Sequence, residues 1–229
     1  MREDIRKLTA VYEDSLKRVG VTPQGVLWPN APDLAKRFAV LLEPLNLGPE
    51  PRERPWRLLD LGCGPGFLLD YLAENDLMGQ VAYTGVDVME STIELARSRW
   101  PDQRFELRDI RDAPFARDSF DFAMLAGVIT ARFACSYAEM VQFAGATLET
   151  IWPSVQFGLS FNVMSKHVDW ERDDLFHWPL DDIVAFCKAR LSRHVSLRLD
   201  YGLWEASVIV RKAPVQPDVR VPPVWLGER

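Results

Sequence analysis

One stretch of sequence decides the fold of this chain, Leu58-Leu59-Asp60-Leu61-Gly62-Cys63-Gly64-Pro65-Gly66-Phe67. An apolar run that contains one acid leads into three glycines at alternate positions. Glycine allows the backbone to turn tightly and to approach a ligand without a Cβ in the way. The apolar pattern after Gly66 is helical, and the free N–H groups of a helix start would face the turn. The stretch therefore predicts a strand, a ligand-binding turn and a helix.

Two kinds of cofactor compete for such a turn. A dinucleotide site requires G-x-G-x-x-G, with pyrophosphate at the helix N-terminus. Here the third glycine comes one residue early, at Gly66, and Phe67 occupies the dinucleotide position. Asp60, directly before the turn, would repel a pyrophosphate but suits an ammonium group. The turn therefore favours S-adenosyl-L-methionine, which has an ammonium group and no phosphate.

The next predicted strand ends in an acid, Asp87, which lies 21 residues after Gly66. This is the separation at which an acid at the tip of the second strand meets ribose hydroxyls. Taken alone, Asp87 is equally well explained as an acid at the N-terminus of a helix. Together with the glycine turn, it indicates a ribose ligand.

The rest of the chain alternates short apolar runs with helical segments, which predicts a mostly parallel sheet covered on both faces. Helix starts are indicated by Ser91 with Glu94 and by Ser136 with Glu139, both in capping-box spacing. We expect strands at Arg57–Leu61, Val81–Val86, Arg104–Arg108, Phe120–Ala126, Val155–Phe161, His194–Asp200 and Trp204–Val210, the last two forming a hairpin. The fold class is α/β: a Rossmann-like, doubly wound, seven-stranded sheet with an antiparallel last strand.

Helical spacing over Glu3–Val19 and again from Leu34 to Leu45 predicts helices outside this alternation. We expect residues 1–48 to form a helical cap and residues 56–212 to form the cofactor-binding domain. The proline-rich residues 213–229 are expected to be a surface extension.

Composition limits the classes of function. The net charge is −6, which argues against a surface built for nucleic acid. The three cysteines, Cys63, Cys135 and Cys187, have no metal-ligand spacing and are typical of free thiols in a reducing compartment. Neither a signal-peptide core nor a long apolar run occurs in this sequence. We therefore expect a cytoplasmic protein without a membrane, nucleic-acid or metal partner.

The motifs around Asp60–Gly66, Val86-Asp87, Arg108-Asp109-Ile110 and Phe120-Asp121-Phe122 together resemble the successive motifs of the class I S-adenosylmethionine-dependent methyltransferases. The resemblance covers about residues 57–212. It implies that Asp60, Gly62, Cys63, Gly64 and Gly66 hold the methionine end and that Asp87, with Val88 beside it, binds the ribose. It further implies that Asp109 and Ile110 meet the adenine, that Ala126 and Gly127 lie under the methionine part, and that Trp28 lies near cofactor or acceptor.

Asp109 is crowded by Arg108, Arg111 and Asp112. The alternative interpretation of Asp109 is therefore an acid in an exposed, salt-bridged turn. Tyr12 could equally pack in a core. Arg37 could bind an acceptor carboxylate or simply face solvent on its helix.

The acceptor site is expected in the loop from Asn162 to Trp178, which follows the fifth predicted strand. Ligands of open α/β sheets bind at the carboxyl ends of the strands, and this loop is rich in His, Trp and acids. His167 and His177 are the candidate general bases, since histidine titrates near neutral pH. In the alternative interpretation, both histidines are surface residues of the loop, and Trp170 and Trp178 pack the loop against the rest of the protein. The acids of the loop show no clear ligand spacing, so we expect no metal.

We therefore expect methyl transfer to an O or N atom of a small-molecule acceptor. A protein or RNA methyltransferase is the alternative among enzymes, and a cofactor-binding regulator without catalysis is the alternative outside them. The Asn/Asp-Pro-Pro-aromatic motif of enzymes that methylate amino groups of nucleic acids is absent after the fourth strand, where Ala126-Gly127-Val128-Ile129 stands.

Overall fold

The computed structural model of the protein describes residues 2–47 and 53–215. Six α-helices occur in the described residues: α1 (Glu3–Val19), α2 (Ala31–Leu42), α3 (Phe67–Glu74), α4 (Glu90–Arg99), α5 (Tyr137–Ile151) and α6 (Leu180–Arg190). The strands are β1 (Trp56–Leu61), β2 (Val81–Asp87), β3 (Arg104–Leu107), β4 (Phe120–Ile129), β5 (Val155–Val163), β6 (His194–Arg198) and β7 (Ala206–Arg211).

The strands form one seven-stranded sheet in the order β3-β2-β1-β4-β5-β7-β6. The first five strands are parallel, and β7 runs antiparallel between β5 and β6. The strand order reverses between β1 and β4, and ligands of open α/β sheets bind in the crevice at such a switch point. The predicted fold class, with its antiparallel last strand, is confirmed.

Both faces of the sheet are covered by helices because every central strand is apolar on both sides. On one face α2, α3 and α4 bury a cluster that includes Leu41, Leu69 and Ile93. On the other face α5 and α6 bury a second cluster, which includes Leu148 and Ile183. Helix α2 is thus part of a flanking layer of the sheet.

Helix α1 lies over the carboxyl ends of the central strands and contributes Ile5 and Leu8 to the second cluster. Ion pairs hold its first turns. Asp4 pairs with the Arg111 guanidinium, and the Lys7 ammonium lies 2.7 Å from a carboxylate oxygen of Glu139. These contacts make α1 the cap over the site described below.

The two predicted capping boxes had different outcomes. The capping box of Ser136 and Glu139 at the start of α5 is confirmed. The box predicted for Ser91 and Glu94 is wrong, because α4 begins at Glu90 and its N-cap is Met89. The Asp87 carboxylate holds this turn instead, by accepting a hydrogen bond from the Met89 N–H at 2.9 Å.

The predicted boundaries of the cap and of the cofactor domain stay predictions. Part of the linker before β1 and most of the predicted C-terminal extension lie outside the described residues. Within residues 2–47 and 53–215, no helix combines the length and apolar character that a membrane crossing requires.

Candidate functional site

The glycine turn after β1 has the conformation that its sequence predicts. Gly62, Gly64 and Gly66 have φ values of +78°, +52° and +86°, a region that favours glycine. A Cβ added to Gly62 would lie 2.5 Å from Cγ2 of Val128, so the chain can approach β4 only with glycine here. The Gly62 and Cys63 N–H groups donate to the Val86 carbonyl at 2.7 and 3.0 Å, which joins the turn to the end of β2.

Asp60 lies beneath this turn and is 3% exposed. Burial raises the pKa of its carboxyl to about 7, and the neighbouring Asp87 charge adds to the increase. The Tyr83 hydroxyl opposes it by donating a hydrogen bond to Asp60 Oδ2 at 2.8 Å. A buried carboxylate with no cation beside it is costly, so an ammonium group placed here would be strongly attracted.

Asp87 is at the tip of β2 and faces the same space. Its Oδ2 accepts from the Gly64 N–H and its Oδ1 from the Met89 N–H, both at 2.9 Å. Burial raises the pKa of Asp87, and these backbone hydrogen bonds oppose the increase. A carboxylate has about four acceptor positions, so each oxygen keeps capacity for a hydroxyl group.

A cavity of about 160 Å³ lies between α1, the glycine turn and the ends of β2 and β4. Nine of the predicted cofactor residues line it: Trp28, Asp60, Gly62, Cys63, Gly64, Asp87, Val88, Ala126 and Gly127. The structure thus brings together residues from four separate parts of the sequence. We call this space the cofactor cavity.

Three predicted cofactor residues do not line the cofactor cavity. Gly66 faces away, since a Cβ added to it would meet the Trp100 ring at 3.1 Å. Ile110 is 3% exposed and packs in the core. Both carboxylate oxygens of Asp109 accept hydrogen bonds from the Arg111 guanidinium, at 3.1 and 2.9 Å. The salt-bridged interpretation therefore describes Asp109 in this structure, and its adenine role stays a prediction.

The end of β4 is irregular where it passes the cavity. The pairing of β4 with β5 shifts register between Leu125 and Ile129, and Gly127 has a φ of +83°. The Gly127 N–H donates to Asn162 Oδ1 at 2.7 Å instead of to the neighbouring strand. Trp28 packs directly against this glycine, because an added Cβ would lie 2.6 Å from the indole ring. The bulge therefore makes room for Trp28 at the edge of the cofactor cavity.

A second, larger cavity of about 590 Å³ adjoins the first. Tyr12, Val26, Trp28 and Ala131 line both. The loop from Asn162 to Trp178, where the acceptor site stays a prediction, contributes to its wall through Met164, Val168, Asp169, Trp170, Arg172, Asp174, Leu175 and His177. We call this space the acceptor cavity.

A buried polar cluster forms part of its wall. The Arg37 Nε donates to both carboxylate oxygens of Glu205 at 2.9 Å, and the two side chains are 8% and 2% exposed. Asn162 Nδ2 and the Tyr201 hydroxyl also donate to Glu205 Oε1, at 3.2 and 3.3 Å. Burial raises the pKa of Glu205, and the adjacent Arg37 charge opposes the increase. Asn162 thus bonds both Glu205 and the Gly127 backbone, which links the two cavities.

The two predicted bases have different positions. His167 is exposed and lines neither cavity. His177 lines the acceptor cavity, but its Nε2 accepts from the Arg172 N–H at 3.1 Å, and its Nδ1 lies 2.8 Å from the Ser165 carbonyl. With Nδ1 as the donor, both ring nitrogens are occupied by the backbone. This geometry supports a role in holding the loop and leaves no lone pair for a proton.

Sequence reasoning missed several residues of the acceptor cavity. Phe133, which packs edge-to-face on Tyr12 at 5.6 Å, follows β4 in a segment without a motif. Glu205 and Trp204 belong to the turn before β7, far from any motif. The one usable signal was an acid, Glu205, next to a tryptophan at the start of an apolar strand.

Comparison with known proteins identifies the family. A family model described as a methyltransferase domain matches residues 58–152. Rv1506c, a Mycobacterium tuberculosis protein named as a methyltransferase, is 35% identical over 161 residues, 69% of this chain and 95% of the relative. The trans-aconitate 2-methyltransferase of Variovorax paradoxus is 44% identical over 54 residues, which cover 24% of this chain and 20% of the relative.

Two solved structures share the fold. Magnesium protoporphyrin IX methyltransferase of Synechocystis PCC 6803, solved with bound S-adenosylhomocysteine, has a TM-score of 0.60 and 13% identity, with 91% of this chain and 98% of that chain covered. The 1,6-didemethyltoxoflavin-N1-methyltransferase of Burkholderia thailandensis has a TM-score of 0.56 and 17% identity, with 93% and 91% covered.

The site geometry fits the cofactor of this family. Gly62 and Gly127 stand where a side chain would collide with neighbouring side chains that line the cavity. Asp60 offers a buried carboxylate, and Asp87 keeps free acceptor positions. Together with the 35% identical relative, 95% of which is covered, and the family match, these features show that the chain belongs to the class I S-adenosylmethionine-dependent methyltransferases.

Proposed function

We propose that this enzyme transfers a methyl group from S-adenosylmethionine to an oxygen or nitrogen atom of a small molecule bound in the acceptor cavity. The observation that carries the proposal is the contact between the two cavities, which share Tyr12, Val26, Trp28 and Ala131. A volume of about 590 Å³ lies within the range of small-molecule sites. A protein or nucleic-acid acceptor would call for a long groove rather than a cavity of this size.

The geometry of the site supports the proposed cofactor-binding roles. In this proposal Asp60 binds the ammonium group and the backbone of Gly62–Gly64 cradles the methionine end. Asp87 accepts hydrogen bonds from the two ribose hydroxyls. Trp28, Val88, Ala126 and Gly127 complete the apolar and backbone walls.

The chain's main contribution to the reaction is alignment. The bound cofactor supplies an activated methyl group, which is transferred by in-line displacement. Orienting two reactants can account for about 7–11 kcal/mol of a barrier. Tyr12 and Trp28 lie at the junction and exclude water from it. An acceptor that arrives with an unprotonated nitrogen or an ionised oxygen needs no general base, which agrees with the backbone-bonded His177.

The test is a product assay. Purified protein is incubated with methyl-labelled S-adenosylmethionine and a cell extract separated into small-molecule, protein and RNA fractions. We expect S-adenosylhomocysteine to form and the label to appear in the small-molecule fraction. Label in protein or RNA alone would reject the proposal, and cofactor binding without S-adenosylhomocysteine would indicate a regulator.

Two matched variants test whether the acceptor binds in the acceptor cavity. Trp204 lines the acceptor cavity and is 63% exposed, whereas Phe157 is 49% exposed at the opposite end of the sheet. We expect Trp204→Ala to raise the KM for the acceptor at least fivefold without changing the affinity for S-adenosylhomocysteine. Phe157→Ala should leave both values unchanged.

A further inference from the structure

Aromatic rings form much of the wall of the acceptor cavity. Tyr12, Trp28, Phe133, Trp170 and Trp204 all line it. Trp170 and Trp204 are 72% and 63% exposed, so both rings stand in water at the mouth. Flat apolar faces of this kind gain most from contact with another flat ring, which removes water from both. The walls therefore favour a planar ring compound.

Arg37 provides an unused hydrogen-bond donor beside these rings. The residue is 7% exposed, and its guanidinium lies over the Trp28 ring at 4.3 Å. Its Nε bonds to Glu205, but its Nη1 is buried and has no hydrogen-bond partner among the described residues. Buried donors are almost always paired, and an exception calls for a missing partner. Arg37 lines the acceptor cavity, whereas Nη1 itself is covered, so a small movement of the guanidinium would bring Nη1 to an oxygen of the acceptor.

The charges around the cavity decide what kind of oxygen fits. Glu205 already neutralises Arg37. The acids that line the cavity are Asp33, Asp169, Asp174 and Glu205, and the basic residues are Arg37 and Arg172. Arg172 pairs with Asp174 at 2.6 Å. A carboxylate brought to Arg37 would therefore add a negative charge that no lining cation offsets, and burying such a charge is costly.

We propose that the acceptor, in the small-molecule reaction proposed above, is a neutral planar ring compound that is methylated on an unprotonated nitrogen and has a carbonyl or phenol oxygen that accepts a hydrogen bond from Arg37. The inference rests on the proposed function. It gives Arg37 the role of a specificity-determining residue, and Glu205 holds the guanidinium in place. It also excludes carboxylic acids as preferred acceptors. From the sequence alone, an acceptor carboxylate is one candidate partner of Arg37, and this inference replaces that carboxylate with a neutral oxygen.

The test uses bicyclic compounds in matched sets on naphthalene, quinoline and indole rings. Each set contains the bare ring, its hydroxyl or carbonyl derivative and its carboxylate. Affinities are measured by calorimetry on the full chain saturated with S-adenosylhomocysteine. A hydrogen bond to a charged donor predicts that the neutral oxygen compound binds at least tenfold more tightly than the bare ring in one set or more. The matching carboxylate should bind more weakly than the neutral compound.

Two variants test the role of Arg37. Arg37→Lys keeps a cation beside Glu205 but removes the guanidinium donors, and the double variant Arg37→Gln/Glu205→Gln replaces the ion pair with two amides. Both should reduce the preference for the neutral oxygen to less than threefold, with the affinity for S-adenosylhomocysteine unchanged. The control is Arg57→Lys, because Arg57 pairs with the buried Asp121 and lines neither cavity. This control should keep the preference.

Preferred binding of carboxylates, equal binding of the three derivatives, or no binding by any set would overturn the inference. So would a preference that survives in both Arg37 variants. These outcomes are distinct from failure of the proposed function. Labelled small-molecule carboxylates in the product assay, for example, would support the function and reject the inference.

Discussion

The pH dependence of cofactor affinity is the sharpest consequence of the site. Asp60 is buried, and its pKa is raised to about 7. The carboxyl is therefore neutral below pH 7 and charged above it. Only the charged form attracts the cofactor's ammonium group, so binding should strengthen as the pH rises through 7.

The size of the effect follows from the ionised fraction of Asp60. With a pKa of about 7, about 3% of the carboxyl is charged at pH 5.5 and about 76% at pH 7.5. The dissociation constant should therefore fall by up to about 25-fold over this range, the limit reached when the neutral form binds negligibly. Asp60→Asn removes the titrating group, so its affinity should stay nearly constant with pH. At pH 7.5 that affinity should be lower than the native value by about 1.5–3 kcal/mol, the contribution of a charged hydrogen bond.

The assay is calorimetry with S-adenosylhomocysteine, in buffers of different protonation enthalpy, which also counts the protons released on binding. Three other titratable groups face Asp60. Burial raises the pKa of Tyr83 and that of Cys63 well above their usual values, and it also raises the pKa of Asp87. Asp87→Asn is the comparison variant: it should keep a pH dependence, but with a midpoint shifted to lower pH, because the Asp87 charge contributes to the raised pKa of Asp60. An affinity that does not change between pH 5.5 and 7.5 in the native protein would refute the reasoning.

Three further predictions concern single side chains. Asp87→Ala should weaken S-adenosylhomocysteine binding at least tenfold, because each lost charged hydrogen bond contributes about 1.5–3 kcal/mol. Unchanged affinity by calorimetry, with a native circular dichroism spectrum, would assign the ribose to another residue. His177→Ala should lower the free energy of unfolding by about 1–3 kcal/mol, because it leaves the part-buried Arg172 N–H and the buried Ser165 carbonyl without their His177 partner. His167→Ala should leave urea denaturation and turnover near native values, and a large loss of turnover would restore its role as a base.

The cofactor half of the site was predictable because its signals are local. Glycines at positions 62, 64 and 66 require positive φ values, and the structure has them. Asp87 ends a strand at a fixed distance from the turn. Such features depend on a few neighbouring residues, so a single sequence contains them.

The acceptor half depends on contacts between distant residues. Arg37 and Glu205 are 168 positions apart in the chain. The apolar face of α2 predicts burial, but it does not specify that the sheet covers it or that Arg37 reaches Glu205. The same limit applies to Asp109, because a sequence shows that Arg111 is near but not that Asp4 from α1 completes the pairing. Only the folded structure shows whether Arg37 faces solvent and whether Asp109 is salt-bridged.

The buried polar cluster around Glu205 explains how the two cavities keep a fixed position relative to each other. Asn162 accepts a hydrogen bond from the Gly127 backbone, which borders the cofactor cavity, and donates one to Glu205, which borders the acceptor cavity. Glu205 in turn fixes Arg37. A methyl transfer by in-line displacement tolerates little misalignment, since a shift of about 1 Å can cost about a hundredfold in rate. A fully buried amide that bonds the walls of both cavities restricts such shifts better than surface loops can, because the Asn162 side chain itself has no water as an alternative partner. In the proposed reaction, the position of Asn162 at the end of β5 therefore supports the alignment of donor and acceptor without a catalytic base.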